Sequence, residues 1–236
     1  DENAPNAVVS YYGKGALVAL ALDLTLRLHD SSLDAVMGVL WERYGRQDKG
    51  VPENTIARVA EELAGAPLDD FFARYVRGVE DPPLAALLPG FGLRLEARAP
   101  SGASDRGGKV AKDVQRVWLG VRLAKAGDTR VQFVLRGSPA ERAGLAAGDM
   151  LVAIDGLRAT PDSLDRLLRD RQPGESLAIH AFRRDELMTL MCSLEPAPAD
   201  TYWIAAMADV DAETGARRAA WLGAAADGAA TTARLD

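Results

Sequence analysis

The sequence predicts a multi-domain α+β protein in which an all-α helical subdomain precedes a strand-rich domain with two helices. Apolar residues recur at helical spacing in the first part and alternate at strand spacing in the second. A stretch rich in Gly, Ser, Ala and charge lies between the two patterns and is typical of a linker. The predicted boundaries are 1–98 for the helical part, 99–112 for the linker, 113–196 for the strand-rich domain and 197–236 for a partly mobile C-terminal extension.

Capping residues and apolar stripes predict five helices in the first part. Ser10 and Ser32 stand where helix N-caps are needed, and Gly65 stands where a helix should end. The first helix is apolar on nearly all sides, which is typical of a buried central helix. Alternation from Leu93 to Ala97 predicts a half-buried strand. The predicted helices are 11–29, 33–44, 53–64, 68–76 and 84–88.

The second part reads as five strands and two helices in about 85 residues, a compact domain of its own. One helix begins at Ser138-Pro139 and ends at Gly144, and the other covers 160–170. A short apolar segment at 202–207 and a helix at 211–222 follow the domain. The predicted strands are 117–123, 130–135, 150–154, 177–182 and 187–194.

Charge and composition exclude several classes of partner. The formal net charge of −6 argues against a nucleic-acid partner. No apolar run approaches the roughly 20 residues that span a bilayer, so no membrane partner is predicted. Cys192 is the single cysteine, so the fold contains no internal disulfide, and its apolar neighbours predict a buried, inert thiol.

The stretch GSPAERAGLAAGDMLVAIDG at 137–156 has the signature of the PDZ domains attached to bacterial proteases, and the strand-rich part resembles such a domain. An ordinary strand–helix–strand fragment is the alternative. The resemblance implies a groove that grips a peptide C-terminal carboxylate with backbone N–H groups and adds the peptide as a strand.

The predicted groove uses the loop 118–121 for the carboxylate, the edge 121–123 for the peptide strand and a helix for the facing wall. Arg116 adds positive potential beside the loop. The alternative is that the leucines of the wall only fill the core and that neighbouring chain closes the groove. The predicted peptide-binding residues are Arg116, Leu119, Gly120, Val121, Leu123, Leu164, Leu167 and Leu168.

The head of the first helix, SYYGKGA at 10–16, contains two glycines in its first turns. Each glycine costs about 1 kcal/mol of helix stability relative to alanine. Close approach of another backbone would explain them, and so would access of a ligand to the Tyr12 hydroxyl. The other interpretation of Tyr12 is a structural tyrosine at a helix start.

This stretch resembles the Y-x-K-G motif of the gluzincin zinc metallopeptidases, and the order of segments resembles the PDZ-containing glycyl aminopeptidase family. The matching segments include SLDAVMGVLWERYG at 32–45 and LDDFFARYVRGVEDPPL at 68–84. The resemblance implies that the helical part is the C-terminal part of a thermolysin-like catalytic domain. It also implies that Tyr12 donates a hydrogen bond to the oxyanion, whereas Lys14 is assigned no chemistry.

The zinc motif of that clan, H-E-x-x-H with a downstream glutamate, does not occur in this sequence. The two histidines, His29 and His180, are far apart and are interpreted as structural. The resemblance therefore implies zinc in a longer parent protein, with ligands upstream of Asp1, and an inactive fragment that holds no metal. No G-x-S-x-G motif supports a serine protease.

Two functions follow as hypotheses. In the first, the chain is the C-terminal fragment of a zinc-dependent aminopeptidase that acts on a peptide or protein substrate. In the second, it is a non-catalytic adaptor whose PDZ groove binds a C-terminal peptide.

Overall fold

The computed structural model describes Asn6 and residues 10–102, 105–109, 117–124 and 129–223. They divide into two compact units. The helical unit contains residues 10–95 and the described residues from Ile204 onward, and the strand unit contains Asn6 and the described residues of 96–203.

Within this described part, eight α-helices are interspersed with short 3₁₀ and π turns at 45–47, 72–76 and 88–91. The first five belong to the helical unit, as does the last. The α-helices are α1 (Tyr11–Arg27), α2 (Leu33–Arg43), α3 (Thr55–Ala64), α4 (Asp69–Phe71), α5 (Leu84–Leu87), α6 (Pro139–Arg142), α7 (Pro161–Arg169) and α8 (Ala212–Leu222).

The described strands form one four-stranded antiparallel sheet, in the order β6-β5-β7-β8, and three two-stranded sheets. The pairs are β1 with β10, β2 with β9 and β3 with β4. The strands are β1 (Leu93–Arg98), β2 (Val117–Trp118), β3 (Val121–Leu123), β4 (Val131–Val134), β5 (Met150–Ile154), β6 (Leu157–Arg158), β7 (Ser176–Arg183), β8 (Glu186–Ser193), β9 (Glu195–Pro196) and β10 (Thr201–Ala206).

Local side-chain and backbone chemistry starts or ends several helices at predicted residues. Three predicted helices differ in their bounds by more than one residue: α1 ends at Arg27, α3 begins at Thr55, and α4 gives way to a π turn after Phe71. The Ser32 hydroxyl accepts from the Ala35 N–H at 3.1 Å and caps α2, and Ser138 caps α6 in the same way. Gly65 ends α3 with a left-handed φ of 61°. These caps satisfy backbone groups that have no partner within the helix.

The core of the helical unit covers α1 mainly along its C-terminal half. Leu22 and Leu26 pack with Phe71 and Phe72, whereas Leu24 packs in a second cluster around Phe91. The N-terminal half differs from the prediction of a helix buried on nearly all sides. Leu17, for example, is 46% exposed, because the described neighbours of α1 pack against its later turns.

The core of the strand unit gathers side chains from the four-stranded sheet, from β2, β3 and β4, and from α6 and α7. It is aliphatic and includes Cys192, which is 1% exposed on β8 as predicted. Among its members are Val117, Leu119, Val131, Leu145, Leu151, Ile154, Leu164, Leu168, Leu177, Ile179, Ala181, Cys192 and Leu194.

The strand predicted at 117–123 is divided into β2 and β3 at Leu119-Gly120. Gly120 has a left-handed φ of 79°, which a strand cannot contain. Of the described helices, none is both long and apolar enough to cross a membrane.

Candidate functional site

The first candidate site is the N-terminal turn of α1, which carries Tyr12. The Ser10 hydroxyl accepts a 3.3 Å hydrogen bond from the Gly13 N–H and so caps this turn. Tyr11 and Tyr12 are each 75% exposed, and their ring centroids are 4.2 Å apart. A hydrogen bond with the Tyr12 side chain raises the pKa of the Tyr11 phenol above its ordinary value. The Tyr12 phenol therefore stands at the surface of the helical unit rather than within its core.

The two glycines beside Tyr12 have open space where side chains would be. A Cβ added at Gly15 would meet no described atom within 4 Å outside its own helix, and one added at Gly13 would meet only Ser10, at 3.8 Å. Among the described residues, no other backbone approaches this turn closely. The described chain therefore gives no steric reason for these glycines, and close approach of another described backbone does not explain them.

Lys14 connects the first turn of α1 to residues 79–81, which follow the π turn at 72–76. Its Nζ donates a 2.8 Å hydrogen bond to the Val79 carbonyl and lies 3.8 Å from the Asp81 carboxylate. Both of these contacts of the Lys14 side chain therefore lie within the helical unit.

The residues present do not fit a zinc ion. Among the residues that the structure describes, no three His, Cys, Asp or Glu side chains are grouped closely enough to hold a metal. His29 is exposed after α1, and the Nδ1 of His180 lies 3.1 Å from the Thr189 hydroxyl on the neighbouring strand.

The second candidate site is a groove of about 290 Å³ in the strand unit. Strand β3 and helix α7 face it, and the loop between β2 and β3 closes one side. Within the described chain β3 pairs only with β4, so its other edge faces the groove. The residues that line it are Pro100, Gly102, Asp105, Trp118, Leu119, Gly120, Val121, Arg122, Phe133, Leu135, Leu164, Asp165, Leu168, Asp200 and Thr201.

The loop at Leu119-Gly120 is held by its carbonyl groups. The Leu119 carbonyl accepts from the Ala140 N–H at 3.0 Å, and the Gly120 carbonyl accepts from the Leu135 N–H at 2.8 Å. Because a trans peptide directs its N–H opposite to its carbonyl, the N–H groups of Gly120 and Val121 point away from these partners. Two successive backbone N–H groups that point in this way can both donate hydrogen bonds to one carboxylate.

Five of the predicted peptide-binding residues line this groove: Leu119, Gly120, Val121, Leu164 and Leu168. The two leucines of α7 are also core residues, 9% and 2% exposed, so they contribute to both the groove and the core.

The other three predicted residues lie elsewhere or outside the described chain. Leu123 is 8% exposed in the core, and Leu167 packs against that core from α7. Neither is among the residues that line the groove. Arg116 lies outside the described residues.

Sequence reasoning missed a wall of the groove formed by Pro100, Gly102, Asp105, Asp200 and Thr201. The described part of the predicted linker folds around Arg98, which donates to both carboxylate oxygens of Asp105 at 2.6 and 3.0 Å and to the Gly108 carbonyl. Both side chains of the ion pair are less than a tenth exposed. Hydrogen bonds from Arg98, then from the Ser101 amide and hydroxyl and the Gly107 amide, hold the pKa of Asp105 far below its usual range.

This wall lies close against α7. A Cβ added at Gly102 would be 2.7 Å from the Asp165 carboxylate oxygen. No local pattern indicates this contact, because Gly102 and Asp165 are far apart in sequence. The sequence signal that could have indicated this wall was the pair of opposite charges, Arg98 and Asp105, on either side of the Gly/Ser segment. Such a pair is unusual in a free linker.

Comparison with known proteins first identifies the kind of domain that the strand unit contains. Residues 131–179 match the family model of the PDZ domain. The chain is a mixed α+β protein that contains a PDZ domain, and residues 131–179 run from β4 into β7, beside the groove.

The second comparison concerns the whole chain. It is similar to an aminopeptidase N family protein from Idiomarina loihiensis, with 37% sequence identity and a TM-score of 0.82. The match covers 94% of this chain and 38% of that protein, so the chain spans less than two fifths of that relative's length. The predicted resemblance to an aminopeptidase family protein and the predicted PDZ domain are both confirmed.

Two further matches are to proteases of another class. A probable periplasmic serine endoprotease, DegP-like, from Hahella chejuensis is 31% identical over 108 residues, which are 40% of this chain and 23% of that protein. The HtrA-type protease AlgW, solved with a decapeptide, is 28% identical over 36% of this chain and 30% of its own, with a TM-score of 0.33. A TM-score this low supports no conclusion about the present groove.

Proposed function

We propose that this chain is the C-terminal part of a zinc-dependent aminopeptidase, in which Tyr12 stabilises the oxyanion and the PDZ groove binds a peptide. The observation that carries the proposal is the similarity to an aminopeptidase N family protein over 94% of the chain, at 37% identity. The exposure of Tyr12 at the head of α1 supports it, because a phenol that acts on substrate must be reachable.

The proposed role of Tyr12 is to donate its O–H to the oxyanion that develops when the carbonyl of the scissile bond is attacked. A donor at this position acts where charge appears in the transition state, and its loss typically costs about 3–4 kcal/mol of barrier. Zinc would polarise that carbonyl and activate water when bound. Because the described residues do not fit the metal, its ligands are proposed to lie in other parts of the protein.

Replacing Tyr12 with phenylalanine in the full-length protein tests this role. We expect Tyr12→Phe to lower kcat roughly 10²–10³-fold on aminoacyl-coumarin substrates, with bound zinc unchanged. Tyr202→Phe is the control, since Tyr202 is a phenol in the strand unit that is 57% exposed, and it should change kcat by less than about threefold. Equal activity of Tyr12→Phe and wild type would refute the role, and a full-length protein without zinc or peptidase activity would refute the proposal itself.

The isolated chain is proposed to be inactive. With zinc added, it should hydrolyse none of the same substrates, because the described residues form no metal site. Turnover that follows added zinc and disappears with a chelator would contradict this.

The second proposed function is peptide binding by the PDZ groove, which holds in the enzyme and equally in a non-catalytic adaptor. The peptide would extend β3 by adding to its edge, with its carboxylate at the Gly120 and Val121 N–H groups. Leu164 and Leu168 would contact its last side chain, and Arg116 would add positive potential.

A library of peptides with free C-terminal carboxylates, screened against the whole chain, tests this binding. Amidated copies of each hit are the control, because amidation removes the charge that the N–H groups would bind. We expect hits that lose at least about tenfold in affinity on amidation. Equal binding of both forms, or no hits, would count against the carboxylate site.

A further inference from the structure

Lys14 is the first-turn residue of α1 that reaches a separate part of the helical unit. Its Nζ donates a 2.8 Å hydrogen bond to the Val79 carbonyl and lies 3.8 Å from Asp81. The Lys14 side chain is 24% exposed, whereas that of Asp81 is 99% exposed. The hydrogen bond to the carbonyl is therefore the shorter contact, although it is also exposed, and the carboxylate adds a solvent-screened attraction.

The segment that Lys14 contacts is itself tied down from the other side. Arg74, in the π turn after α4, donates to Glu80 at 2.7 and 3.0 Å. This hydrogen bond lowers the pKa of Glu80. Residues 79–81 thus contact Arg74 on one side and Lys14 on the other, while Val79 itself is 90% exposed.

Among the described residues, few other contacts hold the first turn of α1. Gly13 and Gly15 weaken the helix at this point. The Ser10 cap is an exposed hydrogen bond of 3.3 Å. Tyr11 and Tyr12 are mostly exposed, so their rings bury little surface within the described chain. A side chain that holds this turn therefore also holds the backbone from which the Tyr12 phenol projects.

We propose that Lys14 is the positioning residue for Tyr12: by holding the Val79 carbonyl, it anchors the turn that presents the phenol. This inference rests on the proposed role of Tyr12 in catalysis, but the anchor itself is a property of this chain. A hydroxyl that must meet a developing oxyanion loses its effect when it is displaced by about 1 Å. The lysine acts through the turn and does not touch substrate.

Hydrogen exchange of the present chain tests the anchor without any activity. We expect Lys14→Met to speed exchange of the amides at 13–16 at least about tenfold, since one charge-assisted hydrogen bond is lost at a frayed helix end. Lys49→Met is the matched control, because Lys49 is an exposed lysine bonded to nearby Gln47. It should leave these amides unchanged, and exchange in α3 should be the same in both variants. Unchanged exchange at 13–16 in Lys14→Met would overturn the anchor.

Turnover of the full-length protein tests whether the anchor serves Tyr12. We expect Lys14→Met to lower kcat about tenfold with KM within about twofold and zinc unchanged, because the turn populates its productive position less often. Lys14→Arg, which keeps a charged donor, should recover most of the loss.

A double variant separates positioning from a general structural effect. In Tyr12→Phe, adding Lys14→Met should cause no further loss of kcat, since the phenol to be positioned is gone. A further tenfold loss would show that Lys14 acts otherwise and would overturn the proposal. If Tyr12→Phe alone retains full activity, the proposed function fails, and the exchange experiment still decides the anchor.

Discussion

Replacing Gly120 with alanine should destabilise the strand unit by more than its backbone conformation alone explains. Gly120 has a φ of 79° in the loop between β2 and β3. A Cβ at this position would overlap the Ser138 Cβ and lie 2.7 Å from the Ser138 hydroxyl oxygen. Ser138 is fully buried, so it has no room to withdraw.

Two costs contribute to the expected loss of stability. A left-handed φ costs an L-residue about 1–2 kcal/mol. The overlap adds about 1–3 kcal/mol of overpacking, because a Cβ is fixed to its backbone and cannot rotate away. The Ser138 backbone is also held, through its carbonyl to the Arg142 N–H and its own N–H to the Leu135 carbonyl. Gly120→Ala should therefore lower the free energy of unfolding of the strand unit by about 2–5 kcal/mol.

Gly156→Ala is the matched control for this prediction. Gly156 has a similar φ of 76°, and a Cβ added there would meet no described atom within 4 Å. Gly156→Ala should lower the free energy of unfolding by the conformational cost alone, about 1–2 kcal/mol. Hydrogen exchange of the β7 amides in the whole chain, measured over a urea series, reports opening of the strand unit separately from the helical unit.

Equal destabilisation by the two substitutions would refute the reasoning, because the overlap with Ser138 would then contribute nothing. A Gly120→Ala variant as stable as wild type would also contradict the left-handed conformation of the loop.

The remaining predictions concern two buried groups of the strand unit. Burial would raise the pKa of Asp149, but hydrogen bonds from Arg183 and the Ala146 N–H outweigh it and lower the pKa. The stability that the Asp149 carboxylate contributes to the folded state should thus be fully present above about pH 5. It should be lost as the pH falls through the lowered pKa. Asp149→Ala should cost about 2–3 kcal/mol by urea unfolding at pH 7 and flatten this acid dependence; an unchanged profile would contradict it. Burial raises the pKa of Cys192 to about 11, so iodoacetamide should label it only at the rate of unfolding, and rapid native labelling would disprove its burial.

The local signals for turns and caps were read correctly from the sequence. Ser32 and Ser138 cap helices, and Gly65 ends one. Each of these is settled by a few neighbouring atoms, so the sequence contains the whole interaction.

The candidate sites could be predicted only in part. The motif around Tyr12 and the loop at Gly120 were identified from residue patterns, but the wall that Gly102 forms beside Asp165 was not. That contact depends on a segment before β2 folding back against α7, which no pattern within either segment encodes. Similarly, the contact of Lys14 with Val79 joins residues 65 positions apart.

The sequence by itself determined most of the helices and strands and several of their caps, that a PDZ domain is present, and that the zinc motif is missing from this chain. Tertiary structure alone decided which faces of α1 are covered, which leucines reach the groove, and what holds the turn of Tyr12. The physical reason is the distance along the sequence between the groups that interact. A cap or a left-handed glycine needs partners within a few residues. Burial, groove walls and long-range hydrogen bonds exist only after distant segments have packed together.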